Sequence, residues 1–163
     1  PSSGNLSYPF ETLLELFEKV PNIKAIKDWS NEPMLHEKHI KTFQNLPNPV
    51  NVLTTHSSWL MSSLVMGAKG LLSGAGSVIA SLQVDLFFSI KNKDLETAQK
   101  INEKIYPLVQ AFYAPPFLDM HNRMKETLVL LGIMDKAVVR PPLMKLSEKE
   151  INYLRDAISL SGL

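Results

Sequence analysis

With 163 residues, 45% of them hydrophobic and 20% charged, the chain has the composition of an ordinary soluble domain able to bury one core. Seventeen basic residues against sixteen acidic ones leave a net charge of +1, and the lysines are scattered, which argues against nucleic acid or an anionic membrane as a partner. Cysteine is absent, which excludes disulfides, thiolate metal sites and cysteine nucleophiles and fits a reducing cytoplasm.

Pro1 to Asn5 reads as a loop, with neither the basic residues nor the apolar core of a signal peptide. Phe10 to Val20 is an amphipathic helix: Leu13, Leu14, Leu16, Phe17 and Val20 recur at helical spacing with glutamates between them, and Pro21 stops it. A short strand, Ile23 to Lys27, follows, and Asp28 to Asn31 open the next helix, whose body runs from Met34 to Leu46 with Pro33 in its first turn and Pro47 beyond its end. Asn51 to Thr55 is a second strand and Ser57 to Met66 a helix ended by Gly67. Ala68 to Ser73 is a third strand, leading through Gly74-Ala75-Gly76 into the apolar helix Val78 to Ile90, which Gln83 and Asp85 interrupt well short of a membrane span. Strand and helix thus alternate three times, the signature of parallel βαβ construction. From Asp94 the strands stop, and Leu95 to Phe112, Leu118 to Leu131 and Ser147 to Leu160 are helices, the last with a capping-box start at Ser147 and Glu150. Residues 1–93 therefore read as a region of parallel βα units and 94–163 as a carboxyl-terminal helical region. Three parallel strands alone leave edges unpaired, as though other strands preceded them.

Lys27 is the residue that carries chemistry in this pattern. Strand alternation sends Ile23, Ala25 and Lys27 to one face, which predicts an amine following two apolar side chains toward an interior. At the mouth of a barrel, burial disfavours the ammonium form, and a neutral lysine can attack a carbonyl and form a Schiff base. The competing reading from this segment alone is a lysine that reaches solvent, as most at strand ends do.

Other constellations are weaker. His36 and His39, one helical turn apart, have no third ligand at metal spacing and read as two solvated histidines on a lysine-rich face. Ser57-Ser58 and Ser62-Ser63 lack a histidine and an acid arranged as a triad, and helix capping accounts for the first pair. Gly74-Ala75-Gly76 lacks the full phosphate-binding fingerprint and reads as tight packing, and the seven methionines read as core filler. The helices from Leu95 to Leu131 present apolar faces either to the barrel or to another subunit.

The stretches Pro21 to Asp28, Gly67 to Ser73, Leu131-Gly132-Ile133 and Val139 to Leu143 with Leu146-Ser147 are similar, in order and spacing, to the dihydrodipicolinate synthase and N-acetylneuraminate lyase family. The resemblance covers essentially the whole chain but only the carboxyl-terminal half of the family's length, since a complete barrel needs roughly 250 residues. It implies a (β/α)8 TIM barrel with extra carboxyl-terminal helices, with residues 1–93 as the second half of the barrel and 94–163 as the helical extension. It also implies a lyase or aldolase in which the lysine ending the sixth strand, here Lys27, forms an imine with pyruvate or another 2-oxo acid, without a metal or cofactor. By the same resemblance Leu72 and Ser73 lie at the eighth-strand turn beside the pyruvate moiety. Thr55 and His56 lie in the loop after the seventh strand, where many relatives carry a glycine and an acid.

Asn31-Glu32 and Ser77 are further departures, and together these leave the second substrate open. The family's proton-shuttling tyrosine and carboxylate-binding groups belong to the preceding half, and Tyr8 does not replace that tyrosine because it precedes a helix rather than ending a strand. The isolated half is therefore expected to be nearly inactive, needing an amino-terminal half-barrel. Family likeness further implies a cytoplasmic homo-oligomer. The alternatives are a non-catalytic half-barrel serving as an interaction module, and a sugar-acid dehydratase using the same imine.

Overall fold

The structure, a computed structural model, describes residues 8–55 and 57–163. It forms two compact units, divided between Leu72 and Ser73. That division falls one helix earlier than the boundary at residue 93 read from strand–helix alternation.

In the first unit the chain runs α1 (Phe10–Lys19), β1 (Ala25–Asp28), α2 (Pro33–Phe43), β2 (Asn51–Thr54), a 3-10 turn (Ser57–Trp59), α3 (Leu60–Met66) and β3 (Gly70–Leu71). The three strands pair in parallel in the order β1-β2-β3, with Lys27 beside Leu53 and Leu53 beside Gly70. Consecutive βα units, each returning to a neighbouring parallel strand as the alternation predicts, are half of a (β/α)8 barrel, as the family resemblance implies. The strands are shorter than their apolar runs: β1 begins at Ala25 and includes Asp28, and β3 keeps only two residues. Asp28 closes a strand and does not open a helix, because α2 starts five residues later, where Pro33 supplies the preset φ of a first helical turn.

Packing in this unit is one-sided. Ile26, Asp28, Val52 and Thr54 share the face on which Asp28, Val52 and Thr54 are buried, and β2 packs against α2 and α3. Phe43 is fully buried at the centre of an aromatic cluster, with the rings of Phe17, Phe10 and His39 at 4.9, 5.3 and 4.9 Å. Gln44, just beyond α2, ties the layer together: its Oε1 accepts from Val52 N–H at 3.2 Å while its amide donates to Gly67 O at 3.0 Å. Gly67 ends α3 at φ 109°, a conformation that glycine alone adopts without strain. The opposite sheet face, with Ala25, Lys27 and Asn51 exposed, has no cover from the described residues of this unit.

The second unit is helical: α4 (Gly76–Lys91), α5 (Leu95–Phe112), α6 (Met120–Leu130, entered by a 3-10 turn over Phe117–Asp119) and α7 (Glu148–Ser161). α4 begins two residues before its predicted start and is kinked at Ile79. α5 packs along both α4 and α7, burying Ala98, Ile105, Leu108, Val109, Ala111 and Phe112 on one stripe. The capping box of α7 is present, with Ser147 Oγ accepting from Glu150 N–H at 3.3 Å and the Glu150 carboxylate accepting from Ser147 N–H. Met124 is buried as expected of core filler, but Met34 and Met144 are about four-fifths exposed and fill nothing.

Candidate active site

The site is built on the carboxyl end of β1. Lys27 stands on the uncovered sheet face and is exposed, so the expectation of an amine desolvated behind Ile23 and Ala25 is not met in this chain. The physical reason is that the helices of this unit cover the other face, the one that receives Ile26 and Asp28. Alternation continues past the strand: Trp29 follows Lys27 on the same side, and its ring centroid lies 5.6 Å from Lys27 Nζ. Among the described residues Lys27 has no carboxylate within ion-pair distance.

Behind Lys27, on the helix-covered face, is a polar cluster that corrects two sequence expectations. His36 and His39 are not solvated: their side chains are 0% and 7% exposed, and both meet Oδ2 of Asp28 through Nδ1, at 2.7 and 2.8 Å. Oδ1 of Asp28 accepts from Ser30 N–H at 2.8 Å, closing an Asx turn around Trp29. Ser63 does align with a histidine and an acid, since its Oγ lies 2.7 Å from His36 Nε2. With Nδ1–H given to Asp28, the other ring nitrogen of His36 is left to hydrogen-bond the Ser63 hydroxyl. Ser63 is 0% exposed, so no substrate reaches its oxygen, and the chain Ser63–His36–Asp28 serves to brace rather than to hydrolyse. Burial pushes the Asp28 carboxyl up, but the hydrogen bonds from His36, His39 and Ser30 outweigh it and hold the group far below the usual carboxylate range.

The remaining predicted residues are placed separately. Thr55 is buried directly after β2. His56 lies outside the described residues. Leu72 is half-exposed, its N–H donating to Thr54 O at 2.8 Å as a continuation of the β3 pairing. Ser73, in the second unit, accepts from Gln83 Nε2 at 3.3 Å. Neither Ser57 nor Ser58 caps α3, whose N-cap is Trp59 without a side-chain bond. Among the described residues no group of three or more His, Cys, Asp or Glu is disposed to hold a metal ion, and no helix is long and apolar enough to cross a membrane.

Parallel strand–helix units with a lysine at a strand's carboxyl end define one half of a (β/α)8 barrel of the kind that places reactive groups at that end. The chain belongs to the dihydrodipicolinate synthetase family, whose model matches residues 1–161. It is 26% identical over 163 residues to the 4-hydroxy-tetrahydrodipicolinate synthase of Helicobacter acinonychis, covering 97% of this chain and 50% of that one. Among solved structures, the dihydrodipicolinate synthase of Thermotoga maritima superposes with a TM-score of 0.82 at 22% identity over 93% of this chain and 50% of the other. The N-acetylneuraminate lyase of Fusobacterium nucleatum gives 0.78 at 22% over 98% and 52%. The chain spans about half the length of the curated relatives it matches.

Proposed function

We propose that this chain is the lysine-bearing half of a pyruvate-dependent Schiff-base lyase or aldolase. The observation that carries the reading is the position of Lys27: it is the last residue but one of the first strand of a parallel half-barrel, projects from the sheet face that the first unit's helices leave open, and falls within the family match.

In this reading the Lys27 Nζ lone pair adds to the ketone carbon of a 2-oxo acid, the resulting hydroxyl leaves as water, and a protonated imine remains. Loss of a proton from the adjacent carbon gives an enamine, which attacks an aldehyde carbon to form a carbon–carbon bond; the reverse sequence cleaves one. By the family's pattern Thr55, His56, Leu72 and Ser73 are the candidate substrate residues, with the backbone near Leu72 approaching the pyruvate moiety. By the family's pattern the proton relay sits in the other half of the barrel, so the chain alone is expected to turn over very slowly. Cover from that half is also what would take Lys27 out of bulk water.

The exposure of Lys27 in this chain favours one alternative, a non-catalytic half-barrel that serves as an interaction module. Trapping with pyruvate and borohydride separates the two: the enzyme gains a reduced adduct on Lys27, detected by mass, and the module does not.

A further inference from the structure

We propose that Trp29 is a second catalytic residue of this site, its indole face stabilising the cationic imine on Lys27, and that Asp28, His36 and His39 are the positioning residues that hold it there. The proposal rests on the imine reading above.

Three observations carry it. The indole lies 5.6 Å from Nζ, the atom that bears the positive charge once the imine is protonated, and an aromatic face attracts a cation at that distance. The uncharged enamine and carbinolamine gain nothing comparable, and the resting ammonium, which shares the contact, does so hydrated, where a cation–π pair is worth less than beside a desolvated imine, so the difference favours the imine. The ring is also about half exposed, with area left for substrate beside the amine.

The geometry is fixed from behind. Trp29 itself belongs to a loop, between the end of β1 and the start of α2. Its backbone is enclosed in the Asx turn from Asp28 Oδ1 to Ser30 N–H. The other oxygen of the same carboxylate is held by two buried imidazoles from α2, and His36 is in turn held by Ser63 of α3. One carboxylate thus joins β1, the Trp29 turn and two helices. His39 is further fixed by contact with the rings of Phe10 and Phe43, with centroids at 5.9 and 4.9 Å. A buried arrangement with both oxygens engaged is a rigid support, which is what an aromatic ring needs in order to stay over an amine.

The test compares borohydride trapping of pyruvate on Lys27 in wild type, Trp29→Phe, Trp29→Leu, His39→Phe, His39→Asn and the double variant Trp29→Leu/His39→Phe. His39→Phe keeps the ring stacking and loses the donor, whereas asparagine returns a donor near the position of Nδ1. The trapping rate should fall between about twofold and tenfold in Trp29→Leu, the difference between a desolvated and a hydrated cation–π contact, with Trp29→Phe intermediate. His39→Phe should fall comparably, His39→Asn should recover most of the loss, and the double variant should be no slower than the slower single one.

A brace unrelated to Trp29 predicts instead multiplied losses in the double variant, and that result overturns the proposal. A second arm uses no pyruvate: the Trp29 indole N–H cross-peak in a nitrogen–proton NMR spectrum should move in Lys27→Met and in His39→Phe. A peak indifferent to both changes also overturns it. If wild type forms no adduct while the cross-peak does respond, the imine reading fails and the Trp29–Lys27 contact stands.

Discussion

His36 gives its Nδ1–H to Oδ2 of Asp28 across 2.7 Å, with neither side chain more than 2% exposed. This bond, with its companion from His39, lies directly behind the lysine assigned to the chemistry, and the carboxylate's low proton affinity has a measurable consequence. Because the folded state holds Asp28 below its unfolded value of about 4, the stabilisation is fully present above that pH and is lost as pH falls through the folded value. Asp28→Asn should therefore cost about 2–4 kcal/mol at neutral pH, as expected for breaking a buried, hydrogen-bonded charge. Urea unfolding at pH 7 and pH 3 tests this: the gap between wild type and variant should narrow at the lower pH.

Arg123 predicts a second large effect. Its guanidinium is 3% exposed in side-chain terms; Nη1 donates to Ala114 O at 2.6 Å and Pro116 O at 3.2 Å, while Nη2 donates to Pro115 O and to Glu150 Oε1. Lysine keeps the charge but lacks the fork that reaches these acceptors together. Arg123→Lys should destabilise the protein by roughly 2–4 kcal/mol, since a buried charged group gives up several hydrogen bonds at once. Thermal unfolding followed by circular dichroism gives the value.

In the aromatic cluster, Phe43→Ala removes a ring with 0% exposure that touches Phe10, Phe17 and His39. A loss of about 3–5 kcal/mol is expected. His39 loses a stacking partner in that variant, so the Trp29 cross-peak should shift with it; stability falling without any change in that peak would separate the cluster from the site.

How far the sequence disclosed this arrangement depends on the range of the interaction. The parallel order, the helix over Leu95–Phe112 despite Pro107, and the capping box at Ser147 are local patterns and were legible. The side of β1 that would be buried was not, because alternation separates Lys27 from Asp28 without saying which face the helices cover. Three signals together pointed to the Asp28 cluster: an acid one residue after Lys27, hence on the opposite face, and two histidines three apart on the next helix, hence on one side of it. What concealed it was the lysine-rich neighbourhood of those histidines. Lys38 in fact lies over the Phe10 ring, 3.7 Å from its centroid, and covers apolar surface without exposing His39. Ser63, 27 residues from His36, is joined to it only by the fold.

The most direct test of the central claim is peptide mapping after exposure to pyruvate and borohydride. It is run on this chain joined to the barrel segment that its relatives carry ahead of the matched region, with Lys27→Arg as the control. The account predicts one reduced pyruvate adduct, on Lys27, absent from the control and much slower to form in the chain alone. No adduct on Lys27 in the joined protein, or equal labelling of Lys27 and the scattered surface lysines, would contradict it.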